Sequence, residues 1–153
     1  MQKHNRLFIG MILYAATVLM LSGCGFRPTY TWKSQGFSMA PNIGDGQILY
    51  GEKVALSDLN RGDIVFYKRD TAGYLKRLIG LPGESIEIHD GKVFINGKVL
   101  EETYKPYVAT YVQPLIKLGK DDYYVLGDNR NYSSDSHVYG PISGADIVGR
   151  VIP

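Results

Sequence analysis

The chain has 153 residues, room for one folded domain at roughly 150 residues per domain. Hydrophobic residues make up 44% and charged residues 21%, a globular balance that excludes a disordered chain. Two of the 17 basic side chains, Lys3 and Arg6, lie in the first 26 residues, where there is no acid, so the remainder sets fifteen basic against 15 acidic groups. With no basic surplus to counter phosphate, the composition argues against nucleic acid as a partner.

Between Arg6 and Arg27 lie twenty uncharged residues, LFIGMILYAATVLMLSGCGF. At about 1.5 Å per residue a helix of that length spans the ~30 Å hydrocarbon core of a bilayer. Lys3, His4 and Arg6 precede the run, which predicts one transmembrane helix with a cytoplasmic N-terminus and an extracytoplasmic remainder. The same stretch has a second reading. Leu21-Ser22-Gly23-Cys24 resembles the lipobox of bacterial lipoproteins, in which the chain is cut before the cysteine and Cys24 carries lipid. Either reading seats the rest of the chain on a membrane lipid bilayer. The organisation expected is an anchor or signal segment over 1–26, a connector over 27–35 and a β domain over 36–153.

Beyond the connector, residues 47–54, 63–67, 73–79, 85–89, 92–95, 98–100, 123–126 and 147–152 are short runs rich in Val, Ile, Leu and Tyr, bounded by turn signals. Asp90-Gly91 and Asn96-Gly97 suit tight hairpin turns. No stretch reads as an amphipathic helix, although 54–59 and 101–103 have room for short turns. The fold class predicted is all-β, an antiparallel sandwich or barrel-like domain. The single cysteine allows no internal disulfide, and with three scattered histidines it offers no metal-ligand set; no cofactor is implied.

Three clusters carry chemistry. The first is Gly36-Phe37-Ser38-Met39-Ala40-Pro41, followed by Gly44-Asp45-Gly46. It approaches the G-x-S-x-G elbow, but that motif must open a helix, and Pro41, Gly44 and Gly46 leave no room for one. What remains is a serine on a glycine-permitted turn, a feature that is far more often structural than catalytic when it stands alone.

The second cluster runs from Tyr74 to Glu84 through Lys76-Arg77. On a strand, alternate side chains share a face, so Lys76 lies with Tyr74 and Leu78 while Arg77 points the other way. If that face is buried, Lys76 is a desolvated amine. A free lysine is only ~0.04% neutral at pH 7, whereas a pKa lowered to about 8 leaves roughly a tenth neutral, at a cost of about 3 kcal/mol. A neutral amine can take the proton of a serine hydroxyl. The plain alternative is an exposed lysine on an amphipathic strand.

The third cluster, Gly127-Asp128-Asn129-Arg130-Asn131-Tyr132-Ser133-Ser134-Asp135-Ser136-His137, is almost wholly polar. Solvated loops look like this, but so does a network of short donors and acceptors that holds an active-site group in place.

Taken together, Ser38-Met39-x-Pro41, Arg61-Gly62-Asp63-Ile64-Val65, Lys76 to Glu84 and Gly127-Asp128-Asn129-Arg130…Ser133-x-Asp135-Ser136 resemble, in order, the four boxes of bacterial type I signal peptidases. The resemblance is to the compact, single-anchor form. It implies a membrane-bound serine endopeptidase that removes signal peptides from exported preproteins. It also implies Ser38 as nucleophile, Lys76 as general base, and Ser133 bonded to the Lys76 amine. Asp135 supports the box behind it, with Asp128, Arg130 and His137 completing the network. The Ser38 N–H supplies one oxyanion donor, with help from around Gly36; some relatives carry a hydroxyl there that this chain lacks, so the second donor comes from backbone or is absent. The family usually has arginine at the position of His137, so support through Asp135 is expected to be weaker or pH-dependent here.

Two other readings stand beside this one. His137 with Asp135 could serve Ser38 in a Ser-His-Asp arrangement, which leaves Lys76 unexplained. Alternatively, the chain is a membrane-anchored lipoprotein or scaffold that kept the fold and lost activity.

Overall fold

The computed structural model describes residues 29–152. The twenty uncharged residues and Cys24 lie outside them. Eleven strands follow in chain order: β1 (Thr29–Lys33), β2 (Ile48–Glu52), β3 (Ile64–Arg69), β4 (Ala72–Gly80), β5 (Ser85–His89), β6 (Lys92–Ile95), β7 (Lys98–Val99), β8 (Gln113–Lys117), β9 (Asp122–Leu126), β10 (Ile142–Ser143) and β11 (Ile147–Val151). They form a seven-stranded sheet in the order β1-β2-β11-β3-β4-β9-β10 and a four-stranded sheet in the order β7-β6-β5-β8. Every strand pair is antiparallel, as the all-β reading expects.

The hairpin β5–β6 forms where Asp90 and Gly91 both take positive φ, and Asn96-Gly97 does the same before β7. Such turns match the twist of the strands they join. Four elements depart from expectation, among them the two-residue β10, which pairs with the start of β9. Residues 27–35, read as a connector, contain β1, which pairs along its full length with β2. Gln113–Lys117 forms β8 in spite of Pro114, since an edge strand tolerates a missing N–H. One turn of helix, α1 (Ser136–Tyr139), was not foreseen; the Asp135 side chain caps it by accepting from the His137 N–H.

Three packed groups hold the layers together. Ile79, Ile86, Ile88, Val93, Tyr124 and Leu126 join the small sheet to β4 and β9. Val65, Tyr67, Leu78 and Val125 fill a second group, and Met39, Ile43, Leu49, Phe66 and Leu75 a third. Each fully buried aliphatic or aromatic side chain of this kind contributes about 2 kcal/mol relative to exposure. Strand β4 crosses all three groups, so Leu75 through Gly80 are buried on both faces. The plain alternative, an exposed lysine on an amphipathic strand, is therefore not what forms: Lys76 and Leu78 are buried, and so is the opposite face over that half.

Candidate functional site

Strand β4 is the element on which the site is built. On one side it pairs with β3 from Ala72 to Arg77, but β9 joins its other side only from Arg77 to Gly80, with a bulge between Leu78 and Gly80. Among the described residues the outer edge of residues 72–76 has no strand partner. Strand β1, at the end of the large sheet, likewise has one edge without a strand partner among the described residues. A cleft of about 430 Å³ lies between these two edges, lined by Trp32, Gln35, Ser38, Met39, Tyr74 and Lys76 among others.

Lys76 reaches this cleft with only 4% of its surface exposed. Its Nζ donates to Ser38 Oγ at 2.8 Å and to the Leu75 carbonyl at 3.0 Å. Burial strips water from the ammonium and pushes its pKa down to about 8; the carboxylates of Asp135 and Asp128 pull the other way and do not prevail. Ser38 sits on a turn that Gly36 opens at φ +79°, and the buried Met39 and Ile43 anchor that turn in the third core group.

Arg77 projects to the opposite face, as the strand alternation predicts. It is buried there against Asp128, with Nε–Oδ1 2.7 Å and Nη2–Oδ2 2.6 Å, and its guanidinium covers the Tyr104 ring at 3.9 Å. Asp128 is fully buried and also accepts from Asn42 Nδ2 at 2.9 Å. Arg130, likewise buried, is paired with Glu102 and donates from Nε to the Gly127 carbonyl at 3.1 Å. Asp135 accepts from the Gly127 N–H at 2.8 Å and lies 2.7 Å from His137 Nδ1, and the His137 ring stacks on Tyr111 at 4.1 Å.

Two expectations are corrected. Ser133 Oγ makes no bond to Lys76; it is a buried hydroxyl with no hydrogen-bond partner among the described residues, while the Lys76 amine uses the Leu75 carbonyl instead. Ser133 is nevertheless at the site, because a side chain on Gly127 would overlap both Ser133 Oγ and the Ser38 carbonyl oxygen. The Gly36 N–H, expected as a second oxyanion donor, is taken up by Asp45 Oδ1 at 2.7 Å. The Ser38 N–H makes no hydrogen bond among the described residues.

Sequence reading missed Asn42, Asp45, Glu102 and the side chain of Asn129. Asn129 lies inside the third cluster and Asn42 directly after Pro41, so position was the only available signal. Glu102 fell in a stretch read as a turn, and its role depends on a partner 28 residues away.

A hydroxyl and a largely buried amine in contact, on a β scaffold with an open strand edge, are an arrangement that can carry serine hydrolase chemistry without an imidazole. Among the described residues His137 is the histidine near the site; it is engaged with Asp135 and is not the group that contacts Ser38. Comparison with known proteins agrees with that class. Residues 5–153 match the family described as signal peptidase, peptidase S26. A probable signal peptidase I-2 from Synechocystis is 37% identical over 74% of this chain and 56% of its own length. Signal peptidase I from Bacillus amyloliquefaciens is 36% identical over 91% of this chain and 78% of its own. The crystal structure of a signal peptidase I from Enterococcus faecalis superposes with a TM-score of 0.55 at 32% identity, covering 63% of this chain and 97% of that one. The match spans little more than half of the Synechocystis protein and 63% of a Leptolyngbya laminosa relative. The chain belongs to the signal peptidase family, peptidase S26.

Proposed function

We propose that this chain is a membrane-anchored serine endopeptidase that removes N-terminal signal peptides from exported preproteins, with Ser38 as nucleophile and Lys76 as general base. The observation that carries this reading is the Lys76 amine, 4% exposed and 2.8 Å from Ser38 Oγ. With its pKa near 8, roughly a tenth of that amine is neutral at pH 7.

Neutral Lys76 takes the Ser38 proton as Oγ attacks the scissile carbonyl. The negative charge that develops on the carbonyl oxygen is met by the Ser38 N–H. Lys76 then returns the proton to the departing amine, leaving an acyl-enzyme, and activates the water that releases it. A preprotein segment seated in the cleft meets edges of β1 and of residues 72–76 that have no strand partner among the described residues, so it adds to the sheet as a strand. Asp135 and His137 brace Gly127 from behind, Arg77 with Asp128 braces Lys76, and Arg130 with Glu102 holds the turn from the far side.

The twenty uncharged residues 7–26 serve as the anchor, with the N-terminus in the cytoplasm and the β domain outside. Enzyme and preprotein then share a surface, which raises their effective concentration. The lipobox-like Leu21-Ser22-Gly23-Cys24 supports the second form of anchoring, lipid on Cys24. The intact mass of protein extracted from membranes separates the two, because lipidation begins the chain at Cys24.

Cleavage of a preprotein with an A-x-A junction, in detergent or lipid, tests the function. Wild type should cut at the junction, and Lys76→Ala should lose at least a thousandfold. Equal cleavage by both would remove Lys76 as the base and return His137 to consideration. No cleavage by either would favour a scaffold that kept the fold.

A further inference from the structure

Asn129 touches the peptide groups on both sides of Ser38. Its backbone N–H donates to the Ser38 carbonyl at 3.0 Å, and its side-chain Nδ2 donates to the Phe37 carbonyl at 3.2 Å. The Phe37 carbonyl belongs to the same planar peptide unit as the Ser38 N–H. In a trans peptide those two groups point in opposite directions, so fixing the carbonyl fixes the N–H. The Ala40 N–H, at 3.1 Å, is the second group that holds the same oxygen.

The orientation of that N–H matters more in this chain than a single donor usually does. Gly36 offers no hydroxyl, and its own N–H is committed to Asp45. Among the described residues, the Ser38 N–H is the unpaired donor adjoining the attacking oxygen. A donor stabilises a developing oxyanion only when it is aimed beforehand, since reorganisation during the reaction cancels the gain.

We propose that the Asn129 side chain is a positioning residue that aims the Ser38 N–H at the oxyanion. This rests on the serine–lysine reading above. Among the described residues Asn129 makes no hydrogen bond to Lys76 or to Ser38 Oγ; it acts through the Phe37–Ser38 peptide plane. Its two bonds divide the work. The backbone bond survives any substitution and holds the turn in place, while the amide bond sets the tilt of the one plane that carries the donor. Gly127, two residues earlier, permits this grip, because any side chain there would displace the Ser38 carbonyl.

The test compares wild type, Asn129→Ala and Asn129→Asp on an A-x-A preprotein under single-turnover conditions. The amplitude counts competent sites, and the rate constant reports each site's chemistry. Asn129→Ala should keep its amplitude and lose roughly tenfold in rate. Asn129→Asp should lose roughly a hundredfold, since its carboxylate oxygen faces the Phe37 carbonyl in place of a donor. A near-isosteric aspartate would be the milder change if Asn129 only filled space.

A second measurement uses a peptide aldehyde ending in alanine. Ser38 Oγ adds to its carbonyl carbon, the C=O π bond opens onto the oxygen, and the serine proton passes to Lys76, leaving a hemiacetal oxyanion beside the Ser38 N–H. Affinity for this adduct should fall in step with the rate, while affinity for the cleaved signal peptide stays at the wild-type value. Wild-type rates in both variants, a loss confined to amplitude, aspartate milder than alanine, or equal loss of affinity for aldehyde and product would each overturn the proposal. An uncleaved preprotein with wild type would remove the serine–lysine reading itself, and this inference with it.

Discussion

Lys76 and Arg77 are neighbours on one strand, both cations, both buried, and the structure treats them in opposite ways. Arg77 is 7% exposed and meets a carboxylate through two short bonds, a carbonyl through a third and an aromatic face. Lys76 is 4% exposed and has no carboxylate within ion-pair distance among the described residues; its partners are a hydroxyl and a carbonyl. A buried charge with a partner stays charged and holds structure. A buried charge without one sheds its proton more readily and becomes a base. One residue of strand alternation is what separates scaffold from chemistry here.

The contrast can be broken from either side. Arg77→Met leaves the Asp128 carboxylate buried without its counter-ion and should cost about 3–5 kcal/mol, read as a fall in denaturation midpoint. Lys76→Met should do the reverse. In the folded chain the amine's pKa is about 8 against an ordinary 10.5, so at pH 7 both states are protonated and burial of the charge costs about 3 kcal/mol in full. Between pH 8 and 10.5 the unfolded state holds a proton that the folded state lacks, so wild-type stability rises across that window. The stabilisation by Lys76→Met, about 2–3 kcal/mol at neutral pH, should therefore fade toward pH 10.5, while its activity is lost at every pH.

The same ionisation sets the pH profile. Below about pH 8 the neutral fraction of Lys76 falls tenfold per unit, so kcat/KM measured from pH 6 to 10 should rise to a plateau above pH 8.5. A midpoint near 10.5 would mean that the amine is solvated and the contrast with Arg77 is lost. The smallest effect is expected from His137→Arg. Asp135 raises the Lys76 pKa, and a permanent positive charge beside Asp135 offsets that field. The acid limb should shift downward by a fraction of a unit.

Much of this was legible in the sequence because it followed from local rules. The alternation that set Lys76 against Arg77 holds, and the bounds of β5 and β6 follow from the turns that flank them. The less legible parts were decided by distant partners. β1 is a strand because β2 lies beside it, and β8 contains a proline that an interior strand would reject. Arg77 lies on a face that alternation identifies, but its burial depends on Asp128, 51 residues away. Gly36 kept a donor on paper that Asp45 had already taken, and Ser133 lies beside the pair without the bond expected of it. Local pattern gives the direction in which a side chain points; what it meets there is a property of the whole chain.

The open edge of β4 carries one more consequence. A strand addresses its neighbours with a period of two, presenting every second side chain to the same wall at intervals of roughly 6.5–7 Å. On the proposed function, a peptide laid between that edge and β1 would be sampled in the same rhythm, one residue facing the protein and the next facing away. Such an edge grips the backbone that every peptide shares, so it would hold chains of otherwise unrelated sequence.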